Sequence, residues 1–442
     1  MKKSLSISLI AAAILGVVIP ASHASPSTGA ACAKVGSIQG LPKSRFICVQ
    51  VGKKQVWQPL TATNSKPAPA TTSSSSSTAS NQAAMTNLTI PISLPVPQTG
   101  SITFANAESN FASIPEVAWQ RTQDVMNANP AVSIPTEIHI GPNTIASKPT
   151  ILSGLDRLNK LFAGFRHVPT YTGIVYNAKD LSWAESDAAA YIKQKGLIGS
   201  DANLQGMKSL IEAGCQFNGK TPVECGGGMS WDWRDSNSPA GGAYYGVQNP
   251  QGDFPDGFWS DANRNVGPMT QVNHEATHNY QITQFYFTPL GKNQHISADL
   301  MHAFAPWWFS EGQANAIGIA TFVDNLDAYK NVRRGNVTRN PGPNTKLPAF
   351  TPAGLKTFLT ANQVASPENT NYPLAYTVGY AAVETLVAIG GPQSTLALYT
   401  LGAQGKDWET AFKAVYGISW DEGATVLAKV LAAEYAALPI AS

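Results

Sequence analysis

The chain has 442 residues, 43% of them hydrophobic, which is ample for a sizeable core in one large domain or two moderate ones. Its formal charge is +2, and two of the 30 basic residues, Lys2 and Lys3, lie in an N-terminal leader without carboxylates, leaving 28 basic against 28 acidic residues. A mature chain of zero formal charge lacks the electrostatic footprint of a nucleic-acid or anionic-membrane binder.

Lys2 and Lys3 precede an apolar run from Leu9 to Ile19 and small residues ending in Ser22-His23-Ala24, the pattern of a secretory signal over 1–24. The run is short for a membrane span, so the expectation is a secreted, extracellular protein with no transmembrane anchor. The four cysteines fall into local pairs, Cys32 with Cys48 and Cys215 with Cys225, and in an exported chain such pairs predict disulfides. Alternation around Cys48 predicts a β-hairpin within a small module at 25–60, too small to hold a core without a Cys32–Cys48 staple. It resembles the short cystine-stapled modules near the N-termini of secreted actinobacterial proteins and is the candidate for contact with a cell surface. Residues 61–100 turn to Ser, Thr, Ala and Pro and read as a linker or a cleavable pro-segment.

The large domain is expected over 101–442. Ser113 caps a helix to residue 128 with Pro115 in its first turn. A strand at 136–140, a helix at 152–163 and a strand at 173–176 follow. Asp180 or Ser182 then caps a helix to Lys195, with Ser182 and Glu185 spaced as a capping box. A Gly-, Asn- and Asp-rich region, 214–268, is held by the second cysteine pair and contains a candidate strand, Gly242-Ala-Tyr-Tyr-Gly246. Helices are expected at 307–322, from Thr351-Pro352 onward, and at 374–389, 392–402, 407–416 and 419–438, the last opening on the capping box Ser419…Glu422. Strands and helices mixed ahead of residue 274 and mostly helices after it predict an α+β fold: a small mixed sheet and an active-site helix, then a mainly helical C-terminal lobe.

The chemistry concentrates in Gln271-Val-Asn-His-Glu-Ala-Thr-His-Asn-Tyr-Gln281, where His274, Glu275 and His278 spell H-E-x-x-H. Positions i and i+4 share a helix face, so both imidazoles can close on one ion while Glu275 reaches a water beside it. Two histidines do not hold a catalytic Zn2+ tightly, and a third protein ligand is expected. The best candidate lies in Trp308-Phe-Ser-Glu311-Gly-Gln-Ala314. This W-x-x-E-G-x-A segment, following H-E-x-x-H, resembles the gluzincin clan of zinc peptidases, distantly the aminopeptidase N-like and thermolysin-like enzymes. The resemblance covers roughly residues 240–440 and implies Glu311 as third ligand. Thermolysin-like enzymes carry an Asp four residues beyond that Glu; here Asn315 stands there, able to accept from a ligand imidazole without adding charge. Tyr376, three residues before Gly379, matches the aminopeptidase N-like tyrosine that donates to the oxyanion. Tyr380, His295 and His302 are the alternatives for that role.

The resemblance implies a zinc-dependent peptidase in which His274, His278 and Glu311 hold the metal, Glu275 is the base and Tyr376 supports the oxyanion, with a peptide or protein as substrate. Aminopeptidase N-like enzymes grip the substrate amine with a Glu on a strand upstream of the motif. The candidate strand at 242–246 has none, and no Glu occurs between Cys225 and Glu275, which favours an endopeptidase. The alternative from another class is a secreted binding protein whose metal site is structural or vacant. A structural site would draw a fourth protein ligand such as His302. His139 and His167 have no chemical context, and Asp253, Asp256 and Asp261 read as an acidic loop off the EF-hand spacing.

Overall fold

The computed structural model describes residues 30–31, 38–39, 46–51, 54–59, 88–144, 146–197, 204–225, 227–234, 239–246, 266–286, 297–337, 350–361 and 372–438. The signal at 1–24, Cys32 and with it the expected Cys32–Cys48 bridge, Asp253, Asp256, Asp261 and His295 lie outside the described residues. Near the N-terminus Ile38–Gln39 (β1), Phe46–Val51 (β2) and Lys54–Pro59 (β3) pair antiparallel in that order.

The larger fold begins earlier than the composition predicts. Residues 88–100, expected as linker, pack on the domain: Leu88, Ile90, Ile92 and Leu94 are half-buried against the core and Val96 is buried. The Val96 amide donates to the Val415 carbonyl at 2.8 Å, and Gln404 Nε2 donates to the Leu88 carbonyl at 3.0 Å. An apolar residue at every second position buries one face of an extended chain, a signal that the surrounding Pro, Ser and Thr conceal.

Ile114–Ala128 (α1) leads to Thr136–Ile140 (β4), Lys148–Leu161 (α2), Tyr171–Tyr176 (β5) and Leu181–Lys195 (α3). α2 starts four residues before the expected position because Ser147, with Pro149 behind it, is the true cap; its side chain accepts from the Thr150 amide. The capping box expected of Ser182 and Glu185 does not form. Ser182 lies inside α3, and its N-cap Asp180 turns to accept from the Asn143 amide and side chain. α3 ends at Gly196 in the left-handed conformation, φ 60°.

Leu204–Ala213 (α4), Cys215–Asn218 (β6), Thr221–Cys225 (β7), Gly227–Arg234 (β8) and Pro239–Gly246 (β9) fill the stretch before the motif helix. The predicted Cys215–Cys225 disulfide is present and links facing residues of the β6–β7 hairpin. The main sheet runs β4-β5-β9-β8, with β4, β5 and β9 parallel and β8 antiparallel. The expected strand at 242–246 is therefore interior, and β8, not expected from the sequence, forms one edge among the described residues.

The helical half comprises Val266–Gln284 (α5), Ser297–Phe304 (α6), Trp307–Phe322 (α7), Leu326–Asn336 (α8), Pro352–Thr360 (α9), Tyr372–Gly390 (α10), Pro392–Ala403 (α11), Trp408–Tyr416 (α12) and Trp420–Ala437 (α13). The Ser419…Glu422 capping box forms as expected. The mixed α/β architecture thus stands, with the sheet ahead of α5 and, among the described residues, helices from α5 on.

Two features set the central helices α5, α7 and α10. α7 is buried along its length apart from half-buried Asn315, and two glycines let its neighbours approach. A Cβ on Gly312 would stand 2.3 Å from the Gly379 backbone of α10, and one on Gly318 2.8 Å from the His274 amide of α5. The second feature is a set of cations at helix ends. Arg166 donates to the carbonyls of Thr283 and Gln284 at the end of α5 and of Tyr286 just beyond it, Arg157 to Val323 after α7, and Arg121 to Ala388 and Ile389 of α10. Each closes orphan carbonyls at the negative end of a helix. Burial lowers all three guanidinium pKa values, that of Arg166 to about 10.

The glycine contact carries a prediction. Gly312→Ala or Gly379→Ala forces backbone apart from backbone, since the latter's Cβ would lie 2.2 Å from the Trp308 carbonyl oxygen. Either should cost about 3 kcal/mol, the upper end of ordinary overpacking, in urea denaturation. An unchanged denaturation midpoint would contradict the close approach.

Candidate metal centre

Helix periodicity places His274 and His278 one turn apart on α5, and α7 brings Glu311 against both. His274 Nε2 and His278 Nε2 lie 3.1 Å apart, and Glu311 Oε2 lies 3.3 Å from the first and 3.4 Å from the second. All three side chains are buried, and this is the group able to hold a metal ion among the described residues. His302, the candidate fourth ligand, is exposed on α6 with its ring 5.8 Å from that of Trp307, outside the group.

The hydrogen bonds behind the imidazoles fix what faces inward. Asn315 Nδ2 donates to the Tyr376 carbonyl at 3.0 Å, so its Oδ1 turns to His274 Nδ1 at 2.8 Å. Gln281 Nε2 donates to the Ser310 carbonyl at 3.0 Å and to Gln313 Oε1 at 2.7 Å, turning its Oε1 to His278 Nδ1 at 2.8 Å. An amide oxygen only accepts, so both Nδ1 atoms donate and both Nε2 atoms are turned toward each other and toward a carboxylate. Three polar groups this close favour a shared cation, which can be a metal ion or, without one, a proton on His278. The separations fit: ligands about 2.0–2.1 Å from a tetrahedral zinc stand about 3.3–3.4 Å apart. The His/His/Glu donor set suits a borderline divalent metal.

Asn315 thus takes the position expected of it, and Gln281 is the partner that sequence reading missed. The available signal was its spacing, three residues beyond His278 on the same helix face. Ser310 Oγ also donates to Gln281 Oε1 at 3.1 Å, and Gln313 continues to Thr395 Oγ1 at 2.7 Å, tying the second histidine to α7 and α11.

Charge reinforces the geometry. Burial penalises the Glu311 carboxylate, yet His278 and the hydrogen bonds from both imidazoles outweigh it and hold the group well below the usual carboxylate range. Burial likewise opposes a charge on His278, but Glu311 and its hydrogen bond prevail and raise it to about 9. Without metal, a proton on His278 stands between the imidazole and Glu311, where a metal ion would compete with it. This raised value stabilises the metal-free fold fully below pH 6.5, and that contribution is lost as pH rises through about 9. Metal binding must expel the proton. Affinity should therefore climb about tenfold per pH unit toward pH 9 and then level. Calorimetry at pH 7.5 in buffers of different ionisation heat should find one proton released from His278 per metal bound; none released would contradict this arrangement.

Glu275 projects beside the ligands, its Oε1 3.9 Å from His274 Nε2. Burial raises its carboxyl pKa, partly offset by His274 and His278. It packs on β8, where its carboxylate lies against Gly228. Tyr376 is half-buried at the start of α10, its ring stacked 6.3 Å from that of His274 and edge-on to Trp307 at 6.5 Å. Tyr380 is buried elsewhere, donating to the Tyr329 hydroxyl at 3.2 Å, which removes it from the oxyanion role. His139 Nδ1 pairs with Asp187 at 2.7 Å and His167 Nδ1 with the Val168 carbonyl at 2.8 Å, both outside the centre.

No family model, curated protein or solved structure matches this chain.

Proposed function

We propose that the protein is a secreted zinc peptidase that cuts peptide bonds internally with activated water. The observation that carries this reading is the convergence of His274 Nε2, His278 Nε2 and Glu311 Oε2 within 3.4 Å, with the Glu275 carboxylate alongside. A zinc ion bound there supplies Lewis acidity toward a peptide carbonyl and toward water. Glu275 takes the proton of the attacking water and delivers it to the departing amine; its raised pKa suits both halves of that exchange. Asn315 and Gln281 keep the two imidazoles in one tautomer through the cycle. Tyr376, beside His274, donates to the oxygen on which negative charge develops.

A closed structural site takes four protein ligands, whereas three converge among the described residues, which supports the catalytic reading over a binding protein. Endopeptidase action rests on the absence of glutamate from β8, the strand lying along Glu275, and from the whole stretch between Cys225 and Glu275. Export rests on the leader at 1–24 and accords with the Cys215–Cys225 disulfide.

The test is cleavage of unfolded casein and of an N-acetylated peptide by the mature chain, before and after chelation and zinc return. The reading expects internal cuts in both, lost with chelator and regained with zinc. Trimming confined to free N-termini would replace the endopeptidase by an aminopeptidase.

A further inference from the structure

We propose that Gly228 is a positioning residue that fixes the Glu275 carboxylate against the edge strand. The inference rests on the peptidase reading for its catalytic meaning and on packing for its physical content. β8 is an edge strand, paired with β9 on one side, and Gly228 sits in it buried and opposite Tyr245. A Cβ built there would stand 2.4 Å from Glu275 Oε1, 2.5 Å from its Cγ and 2.8 Å from its Cδ. The nearest atoms are all Glu275's own, so any side chain at 228 moves that carboxylate. Two residues along the strand, the Ser230 backbone amide donates to the same carboxylate. A bare backbone surface and one amide donor thus define where Glu275 rests, beside the ligands but not on them.

The same strand is tethered at its start. The Cys215–Cys225 disulfide closes the β6–β7 hairpin three residues before Gly228, and Cys225 is buried. Glycine is disfavoured within strands, and its use here is explained by close approach. The metal-ligand candidates lie on α5 and α7, and the three atoms nearest a Cβ at 228 belong to Glu275 and not to them.

The experiment compares Gly228→Ala with Gly335→Ala, a control on α8 where an added Cβ meets nothing within 4 Å. Gly228→Ala should keep one zinc per chain, lower kcat on a fluorogenic peptide about 100-fold and leave KM within about twofold, as a misplaced base does. Gly335→Ala should match wild type. A readout independent of activity is the thermal midpoint. Gly228→Ala should lower it, and adding Glu275→Ala should remove that penalty, so that the double variant melts with Glu275→Ala alone. Full turnover by Gly228→Ala, or a melting penalty that persists after Glu275→Ala, overturns the proposal. An inactive wild type would sink the peptidase reading, and the melting cycle would still decide whether Gly228 positions Glu275.

Discussion

Glu275→Gln should retain one zinc per chain and lose peptide hydrolysis by a factor of about 10²–10⁴, the usual worth of a positioned acid–base group. The substitution keeps the length and shape of the side chain. The amide oxygen can still accept from the Ser230 amide, so the packing on β8 survives. None of the three metal donors is touched, since Glu275 Oε1 is 3.9 Å from His274 Nε2 while the converging atoms are within 3.4 Å of each other. What disappears is a carboxylate that burial makes more basic than usual. The loss should fall on kcat with KM little changed, because proton transfer belongs to the transition state and not to substrate binding. Loss of zinc from the variant would make Glu275 a ligand instead of a base. Unimpaired turnover would remove it from the chemistry.

Arg333→Met should destabilise the fold by about 3–5 kcal/mol at neutral pH, the cost of breaking a buried ion pair from one side. Arg333 on α8 makes three hydrogen bonds of 2.6–2.8 Å to Glu384 on α10 and a further short one to Glu434 on α13. Tyr329 donates its hydroxyl to Glu384 as well, and Tyr380 donates to Tyr329. Burial works against the guanidinium charge, but the two carboxylates hold its pKa well above the ordinary value. Removing it strands both carboxylates, which are 1% and 12% exposed, in apolar surroundings. Burial already pushes the Glu434 carboxyl upward, and without Arg333 that push is unopposed by a cation. A group whose folded pKa lies above its unfolded value stabilises most at low pH, so the penalty should shrink between pH 8 and pH 5. Urea denaturation at both values checks magnitude and sign. A penalty below about 1 kcal/mol at pH 8 would mean that the network relaxes around the loss.

Much of the centre was legible because helix geometry is local. The i, i+4 spacing of His274 and His278, and of Glu311 and Asn315, fixes shared faces without knowledge of the tertiary fold. The order of the two motifs matched a resemblance that named Glu311, and the structure brings Glu311 to both histidines. The Tyr376…Gly379 spacing gains a physical reason from the structure: Gly379 is where α10 meets Gly312 of α7 backbone to backbone. What sequence reading missed depends on contacts between distant segments. The strand at Gly227–Arg234 was not singled out within the Gly-, Asn- and Asp-rich region, and only its register with β9 and the approach of Glu275 to Gly228 explain the glycine there. Gln281 passed for an ordinary polar residue because its role depends on Ser310 and Gln313 of another helix. Leu204–Ala213, Ser297–Phe304 and Leu326–Asn336 escaped notice as helices: short segments whose faces become visible only against their packing partners.

Elemental analysis of the purified mature protein beside Glu311→Ala decides whether His274, His278 and Glu311 hold one zinc ion. One zinc per wild-type chain is expected after dialysis against metal-free buffer, and little or none in a folded Glu311→Ala variant. Wild type without zinc after reconstitution, or equal zinc in both proteins, would contradict it.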